Sequence, residues 1–410
     1  MNYSEKFDIL EIRDYYPSIN NPSTSTWVYN QVLGLAEKGY HPFVISPTPI
    51  NPLKKIFKNK FILYDSPNSV IEDYLGTKVI RPGYIKIPNN KLVSFTLRNL
   101  SKCIKDHGDI KSIKIIHAHF GQNGAASLAL KEKLDVPLIT SFYGYDSGRL
   151  GELYKPFYQE LIKKGDLFLA LSQDMKKDLI KLGFPENKIR IQHLGIDLTT
   201  FKPRNEKNER FTLLSVARLD PVKGVQFVIK ALSVFFSKYP LEKQNIQYKI
   251  LGGGLYEMTL KKLVSTMNLN DNVFFINNLI VSNSRELVLD EMQKCDVFCL
   301  CSYITDDGAK EGTPVVLMEA QASGKPCIAS FHAGIPEVVI DGSTGILTHE
   351  KSVEEIVNAI EFMYFNEKSR FLFSINARKN IEKEFNQKVQ IQELENIYNL
   401  EISKYRKYIK

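Results

Sequence analysis

The strongest constraint in this chain is an alternation of short apolar runs with helical periodicity that is laid down once, interrupted by a polar stretch, and laid down again. In the first pass, residues 7–12, 42–46, 113–118, 137–141 and 167–171 read as strands, with helical segments at 27–38, 125–134 and 173–182 among them. Strand, helix, strand repeated in this way predicts a parallel sheet covered on both faces, because each parallel connection must cross over the sheet. Residues 202–210 are polar and contain Pro203, so they read as a linker. Beyond them the pattern restarts, with strands at 211–217, 247–251, 273–276, 296–301 and 326–330. The expectation is an α/β protein of two Rossmann-like domains, residues 1–202 and 203–388, followed by a charged helix over 389–410 for which no third core remains. Two facing sheets would leave a deep interdomain cleft at the carboxyl ends of their strands, where open α/β sheets bind ligands. The length of 410 residues suits two cores better than one.

Charge is unevenly spread. Residues 1–200 hold 27 Lys/Arg and 20 Asp/Glu, and residues 51–114 alone hold 13 and 5, so this segment equals the whole chain's net +8. Its first part mixes Lys54, Lys55, Lys58 and Lys60 with Ile56, Phe57, Phe61 and Leu63. Such a mixture suits either an anionic membrane surface or an ordinary solvated face. No nucleic-acid-binding motif accompanies it. Residues 1–10 carry Glu5, Lys6 and Asp8, and no run of about 18 apolar residues occurs anywhere. The expectation is a cytoplasmic chain, at most peripheral on the inner face of the membrane. Cys103, Cys295, Cys299, Cys301 and Cys327 form no CxxC pair and read as buried thiols.

The second half carries the chemistry of a sugar nucleotide site, which must offer positive charge, helix N-termini and carboxylates. Strand 211–217 runs into Arg218-Leu-Asp-Pro-Val-Lys-Gly224, placing Arg218 and Lys223 where two cations can neutralise a diphosphate and the charge that develops as it leaves. Strand 296–301 is followed by a helix for which Thr313 suits the N-cap and Pro314 the first turn. Glu311 then lies just before the helix and Glu319 inside it, about 10 Å apart from the rise per residue, with the Gly312 and Thr313 amides facing the gap. Gly252, Gly253 and Gly254 end a strand and would permit close approach of a nucleotide, although the third glycine of a dinucleotide fingerprint is missing. No Asp-x-Asp occurs, which favours cationic side chains over a metal for the diphosphate.

In this order, Arg218/Lys223, Gly252–Gly254, Glu311-x7-Glu319, Gly334-Ile-Pro-Glu337 and Asp341-Gly-Ser-Thr-Gly345 resemble glycosyltransferase family 4 (group 1) of the GT-B fold, as do Leu194-Gly-Ile-Asp197, Phe201 and Pro203 before the linker. His117-Ala-His-Phe-Gly121 and the segment Asp306–Gly312 are most similar to members that build bacterial exopolysaccharide and lipopolysaccharide, including those of colanic acid type. The resemblance implies that Arg218 and Lys223 hold the diphosphate, Glu319 bonds the ribose hydroxyls and Glu311 contacts the donor sugar. It also implies a retaining, metal-independent hexosyltransferase with no resident cofactor and a UDP-sugar as co-substrate. A lipid-linked saccharide is the implied acceptor, and the C-terminal helix is implied to cross back to the first domain. Nucleotide-sugar epimerisation on the same scaffold, or binding without catalysis, are the competing readings.

Two segments depart from the family pattern. Where relatives carry His-Gly-x-Asp, this chain has Tyr143-Gly-Tyr-Asp146, so Tyr143 can orient a sugar by hydrogen bonding but cannot serve as a histidine base. Asp146 is a candidate acceptor-side carboxylate. The first loop lacks paired glycines and offers Ser25 and Thr26, which either cap the next helix or meet phosphate or acceptor. His117 and His119 share one side of a strand, and His119 either lines the acceptor side or is a hydrogen-bonded structural residue.

Overall fold

The computed structural model describes residues 6–18, 26–50, 71–85, 110–204, 208–277, 284–306 and 308–408. They form two compact units. The first comprises Met1–Leu171, Lys176–Gly195 and Gln390–Lys410, the second Ser172–Met175 and Ile196–Val389. Ser25, Cys103 and the basic segment 51–114 apart from 71–85 and 110–114 lie outside the described residues.

The first unit is built on strands β1 (Ile9–Ile12), β2 (Pro42–Ile45), β3 (Thr48–Ile50), β4 (Ile71–Tyr74), β5 (Thr77–Ile80), β6 (Gly83–Ile85), β7 (Ile115–His119), β8 (Leu138–Ser141), β9 (Leu167–Ala170) and β10 (Ile189–Ile191). Eight of them form one sheet in the order β10-β9-β8-β7-β1-β2-β5-β4, and β3 pairs with β6 alone. The sheet is parallel except at its edge, where β4 runs antiparallel to β5. The alternation of strands and helices gives no sign of that edge. It arises locally, from a two-residue turn in which Leu75 (φ 49°) and Gly76 (φ 83°) are both left-handed, the geometry that closes a tight hairpin.

The central strands are buried along their whole length, as a sheet covered on both faces requires. In β1 one residue breaks the apolar run: Glu11, within the strand, is 1% exposed. The C-terminal helix Gln387–Tyr408 enters the first unit at Gln390. There Ile391, Leu394, Ile397 and Tyr398 join Ile9, Leu35, Ile115 and Ile139 in one core cluster. Burial of such side chains contributes about 1.5–3 kcal/mol each, which seats the helix firmly.

The second unit contains β11 (Phe211–Val216), β12 (Ile246–Leu251), β13 (Val273–Ile276), β14 (Val297–Leu300), β15 (Cys327–Ser330) and β16 (Gly345–Thr348). All pair in parallel, in the order β13-β12-β11-β14-β15-β16. Numbered from the first strand of the unit, this is the doubly wound order 3-2-1-4-5-6. The chain reverses direction across the sheet between β11 and β14, so the loops leaving those two strands part at their carboxyl ends and open a crevice there. The corresponding reversal in the first unit lies between β1 and β7.

Candidate active site

The crevice of the second unit is walled by the loop after β11. That loop is zipped to the loop after β12: Leu219 N–H donates to the Gly253 carbonyl at 3.0 Å and Tyr256 N–H to the Leu219 carbonyl at 3.2 Å. A Cβ on Gly252 would stand 1.8 Å from the Ala217 carbonyl oxygen, and one on Gly254 would stand 2.4 Å from that of Leu219. Gly252 and Gly254 are therefore required by loop-on-loop packing, in addition to any close approach of a nucleotide. Gly224, at φ 69°, is held the same way against the Cys301 carbonyl, with 1.8 Å left for a Cβ. Val222 accepts from Tyr303 N–H at 3.1 Å, which ties the loops after β11 and β14 together.

These ties bring Lys223 and Glu311 into a direct ion pair, both side chains being less than one-fifth exposed. Burial of Glu311 opposes its ionisation, but the Lys223 ammonium and the Gly312 N–H outweigh it and hold the carboxyl below its ordinary value. Its backbone is anchored separately, with the Glu311 N–H donating to His332 Nε2 at 2.9 Å. Since Nε2 must be bare to accept, His332 carries its proton on Nδ1 and donates it to Glu350 at 2.6 Å. The other Glu350 oxygen accepts from Ile304 N–H at 3.0 Å. His332 and Glu350 carry no sequence signal for this role, because only the adjacency of β14, β15 and β16 brings them under the Glu311 loop.

Arg218 stands apart from the Lys223–Glu311 pair. Its side chain is 75% exposed and pairs with Asp220. The helix after Glu311 begins one residue later than expected, at Val315, with Pro314 in the N-cap position. Thr313 is thus not its cap. It is buried at 8% exposure and its hydroxyl oxygen has no hydrogen-bond partner among the described residues. Glu319, half-buried in the helix Val315–Ala322, has a carboxylate with no hydrogen bond among the described residues. Burial pushes it up to about 7, only partly offset by Arg285.

The reversal point of the first unit holds a different arrangement. His119 Nε2 meets Glu11 at 2.8 Å and its Nδ1 meets the Tyr143 hydroxyl at 2.5 Å. His117 Nδ1 lies 2.5 Å from the Tyr398 hydroxyl and its Nε2 lies 2.7 Å from Ser141 Oγ. Tyr398 also reaches Glu11 at 3.2 Å. Burial drives both imidazoles down to the neutral form and pushes Glu11 up. Among the described residues, Glu11, His117 and His119 are the group whose ligand atoms converge within 4.8 Å, but each atom already faces a protein partner, so hydrogen bonding accounts for the convergence.

His119 is fully buried and reaches outward only through half-buried Tyr143, whose ring lies 4.8 Å from Phe120 and 6.1 Å from Trp27. Asp146, the candidate acceptor-side carboxylate, does not present its side chain to solvent. It is fully buried and accepts from the backbone N–H groups of Gly121 and Tyr143, both at 2.9 Å, so it braces the two loops. Thr26 is the first residue of the helix Thr26–Glu37. Glu11 and Tyr398 belong to no motif; a carboxylate inside an apolar strand is the one sign in the sequence that Glu11 offers.

Comparison with known proteins matches residues 24–200 to the family "Glycosyltransferase Family 4" and residues 197–380 to the family "Glycosyl transferases group 1". The putative colanic acid biosynthesis glycosyltransferase WcaL of Escherichia coli (strain K12) is 34% identical over 286 residues, 68% of each chain. The amylovoran biosynthesis glycosyltransferase AmsK of Erwinia amylovora is 28% identical over 406 residues, 92% of this chain and 96% of that one. Among solved structures, Anabaena HepE in complex with UDP superposes with a TM-score of 0.72 at 16% identity, covering 96% of this chain and 100% of that one.

Proposed function

The chain belongs to the group 1 glycosyltransferases of family 4 and has the GT-B fold; from that membership we propose that it transfers a hexose or N-acetylhexosamine, with retention, from a UDP-sugar to a lipid-linked saccharide. The pathway is assembly of a cell-surface polysaccharide. The second unit binds the donor and the first supplies groups to the acceptor. The observation that carries this reading is the Lys223–Glu311 pair at the strand-order reversal, beside a helix start where the buried Thr313 hydroxyl has no partner among the described residues. An anion at that point would meet Lys223, the positive end of the helix Val315–Ala322 and the Thr313 hydroxyl together.

The chemistry follows from where charge develops. As the bond from the sugar to the β-phosphate lengthens, negative charge accumulates on the departing diphosphate, and fixed donors already aimed at it lower the barrier. Lys223 is fixed; exposed Arg218 swings in from Asp220. Glu311, kept ionised by Lys223, accepts a hydroxyl hydrogen of the sugar and orients the ring. Glu319 accepts the ribose hydroxyls. Retention requires attack from the face the diphosphate leaves, so its own freed oxygen is the nearest acceptor for the proton of the incoming hydroxyl. Support for the uridine donor comes from the UDP complex of HepE, and support for the pathway from WcaL and AmsK.

Among the described residues no helix is long and apolar enough to cross a membrane. The basic segment 51–114 supports peripheral contact with anionic lipid at the inner face of the cytoplasmic membrane. The reading is tested by incubating purified protein with UDP-, GDP- and ADP-sugars and a lipid-linked saccharide. Transfer from one donor is expected; absence of both transfer and slow donor hydrolysis across the panel would overturn it. Unchanged turnover in Glu311→Ala would remove the donor-site assignment.

A further inference from the structure

The second unit holds a cavity at the end of its sheet opposite the crevice. Asp296 and Pro326, which immediately precede β14 and β15, line it together with one face of the helix Glu367–Glu384. Its volume of about 590 Å³ falls in the range of small-molecule sites, roughly 300–1,000 Å³. The walls are fixed in advance. The Arg378 guanidinium donates to the carbonyls of Phe201 and Ala322, both at 2.7 Å, and the Ser374 hydroxyl donates to that of Gly324.

The helix Val315–Ala322 ends at this cavity, and its last carbonyls need nothing further. Glu319 accepts from Ser323 N–H, Ala320 from Lys325 N–H, Gln321 from Gly324 N–H and Ala322 from Arg378. Two side-chain donors are left over. The Ser323 hydroxyl, on a residue 1% exposed, has no hydrogen-bond partner among the described residues. Half-buried Lys325 has no ion pair or side-chain hydrogen bond among them. Burial pushes the thiol of Cys295, which lines the same cavity, up to about 12, and the Lys325 ammonium pulls against that shift, so the charge reaches the interior. Buried donors are normally paired, and an ammonium partly withdrawn from water favours a counter-charge.

Around the cavity, cations outnumber carboxylates five to three. Arg204 and Lys379, both exposed, have no ion partner among the described residues, whereas Asp296 accepts from Thr212 N–H and Glu382 pairs with Arg378. Phe371 and Ile375, one turn apart on the lining helix, leave apolar surface open at 65% and 36% exposure.

We propose that this cavity is a second ligand site, which takes the phosphate of an amphipathic phosphate ester against Lys325 and the Ser323 hydroxyl and packs the ring or apolar part of the same ligand on Phe371 and Ile375. It shares no residue with the Lys223–Glu311 crevice, and it goes beyond the transferase reading without depending on it.

Titration calorimetry of the full-length protein at low ionic strength tests the site with glucose 6-phosphate and inorganic phosphate, and flotation tests it with vesicles of phosphatidylcholine carrying phosphatidic acid. One glucose 6-phosphate per chain is expected, weakened about tenfold by Lys325→Gln, weakened also by Phe371→Ala, and unchanged in Lys223→Ala. Inorganic phosphate should respond to Lys325→Gln and not to Phe371→Ala, because it has nothing to pack on the ring. The exposed pair Arg204→Gln/Lys379→Gln, far from any core contact, should weaken both ligands and guards against a folding defect in Lys325→Gln, which thermal melting and unchanged UDP-glucose affinity also report. Vesicle binding that Lys325→Gln abolishes, with glucose 6-phosphate silent, supports the site and assigns its phosphate to a lipid headgroup. Absence of binding by all three probes up to about 10 mM overturns the proposal, as does binding that survives both the Lys325 and the Arg204/Lys379 variants. Binding lost in Lys223→Ala instead places the phosphate in the crevice and overturns it as well.

Discussion

Glu319 should make donor binding depend on pH in a specific way. Its carboxyl sits half-buried without a hydrogen bond among the described residues, and burial pushes it from 4.5 up to about 7. Only the ionised form can accept hydrogen bonds from both hydroxyls of a ribose. The apparent dissociation constant therefore scales as one plus ten to the power of pKa minus pH. Below a pKa of about 7, one pH unit leaves roughly a tenth of the protein competent, and one unit above leaves nearly all of it. Affinity should fall about tenfold from pH 8 to pH 6, which is ~1.4 kcal/mol.

The stability of the unliganded protein moves the other way. With the folded value raised above the unfolded one, the contribution of Glu319 is fully present below about 4.5 and is lost as pH rises through about 7. Titration calorimetry with UDP-glucose is the assay, because its fully esterified diphosphate does not titrate in this range, whereas the terminal phosphate of UDP does. Wild type should weaken about tenfold on acidification, and Glu319→Gln should bind more weakly throughout but without the slope. A flat wild-type profile, or the same slope in the variant, would refute the ribose role.

Gly224→Ala should disable the donor site, since its left-handed backbone costs a residue with a Cβ about 1–2 kcal/mol before the 1.8 Å contact with the Cys301 carbonyl is relieved. A lower melting temperature and loss of UDP-sugar binding are the expected readings. His332→Ala should leave the Glu311 N–H without an acceptor and loosen that loop, lowering kcat about tenfold or more while the melting temperature shifts little; steady-state kinetics with calorimetric melting checks both. Asp146→Asn should lose one of the two hydrogen bonds that brace Gly121 and Tyr143, costing about 1–3 kcal/mol of stability. Donor affinity, which the proposed function assigns to the second unit, should stay within twofold by titration calorimetry.

The alternation of apolar runs was enough to specify two doubly wound sheets, because parallel strands buried on both faces must be continuously apolar and must be joined by helices. It located ten strands within one or two residues, without β3, β4, β5, β6, β10 and β16, and placed Arg218, Lys223, Glu311 and Glu319 in the segments just beyond β11 and β14. Those positions are legible because the loops that leave adjacent strands at a reversal are short-range consequences of the strand pattern. The antiparallel edge of β4 was not legible, since a two-residue turn sets it and hydrophobic pattern does not.

Contacts across long sequence separations were decided only by the tertiary structure. Glu11, His117, His119 and Tyr398 meet because β1 and β7 are neighbours and the last helix packs on them, with 387 residues separating the ends of one hydrogen bond. No periodicity encodes that. The same holds for His332 beneath Glu311, for Gly252 and Gly254, which fit a neighbouring loop, and for Asp146, whose carboxylate is spent on backbone amides. Side-chain type and local spacing determine which groups stand at the ends of the strands. Which of them face a ligand, and which are consumed in holding the others, depends on packing between segments that the linear pattern does not relate.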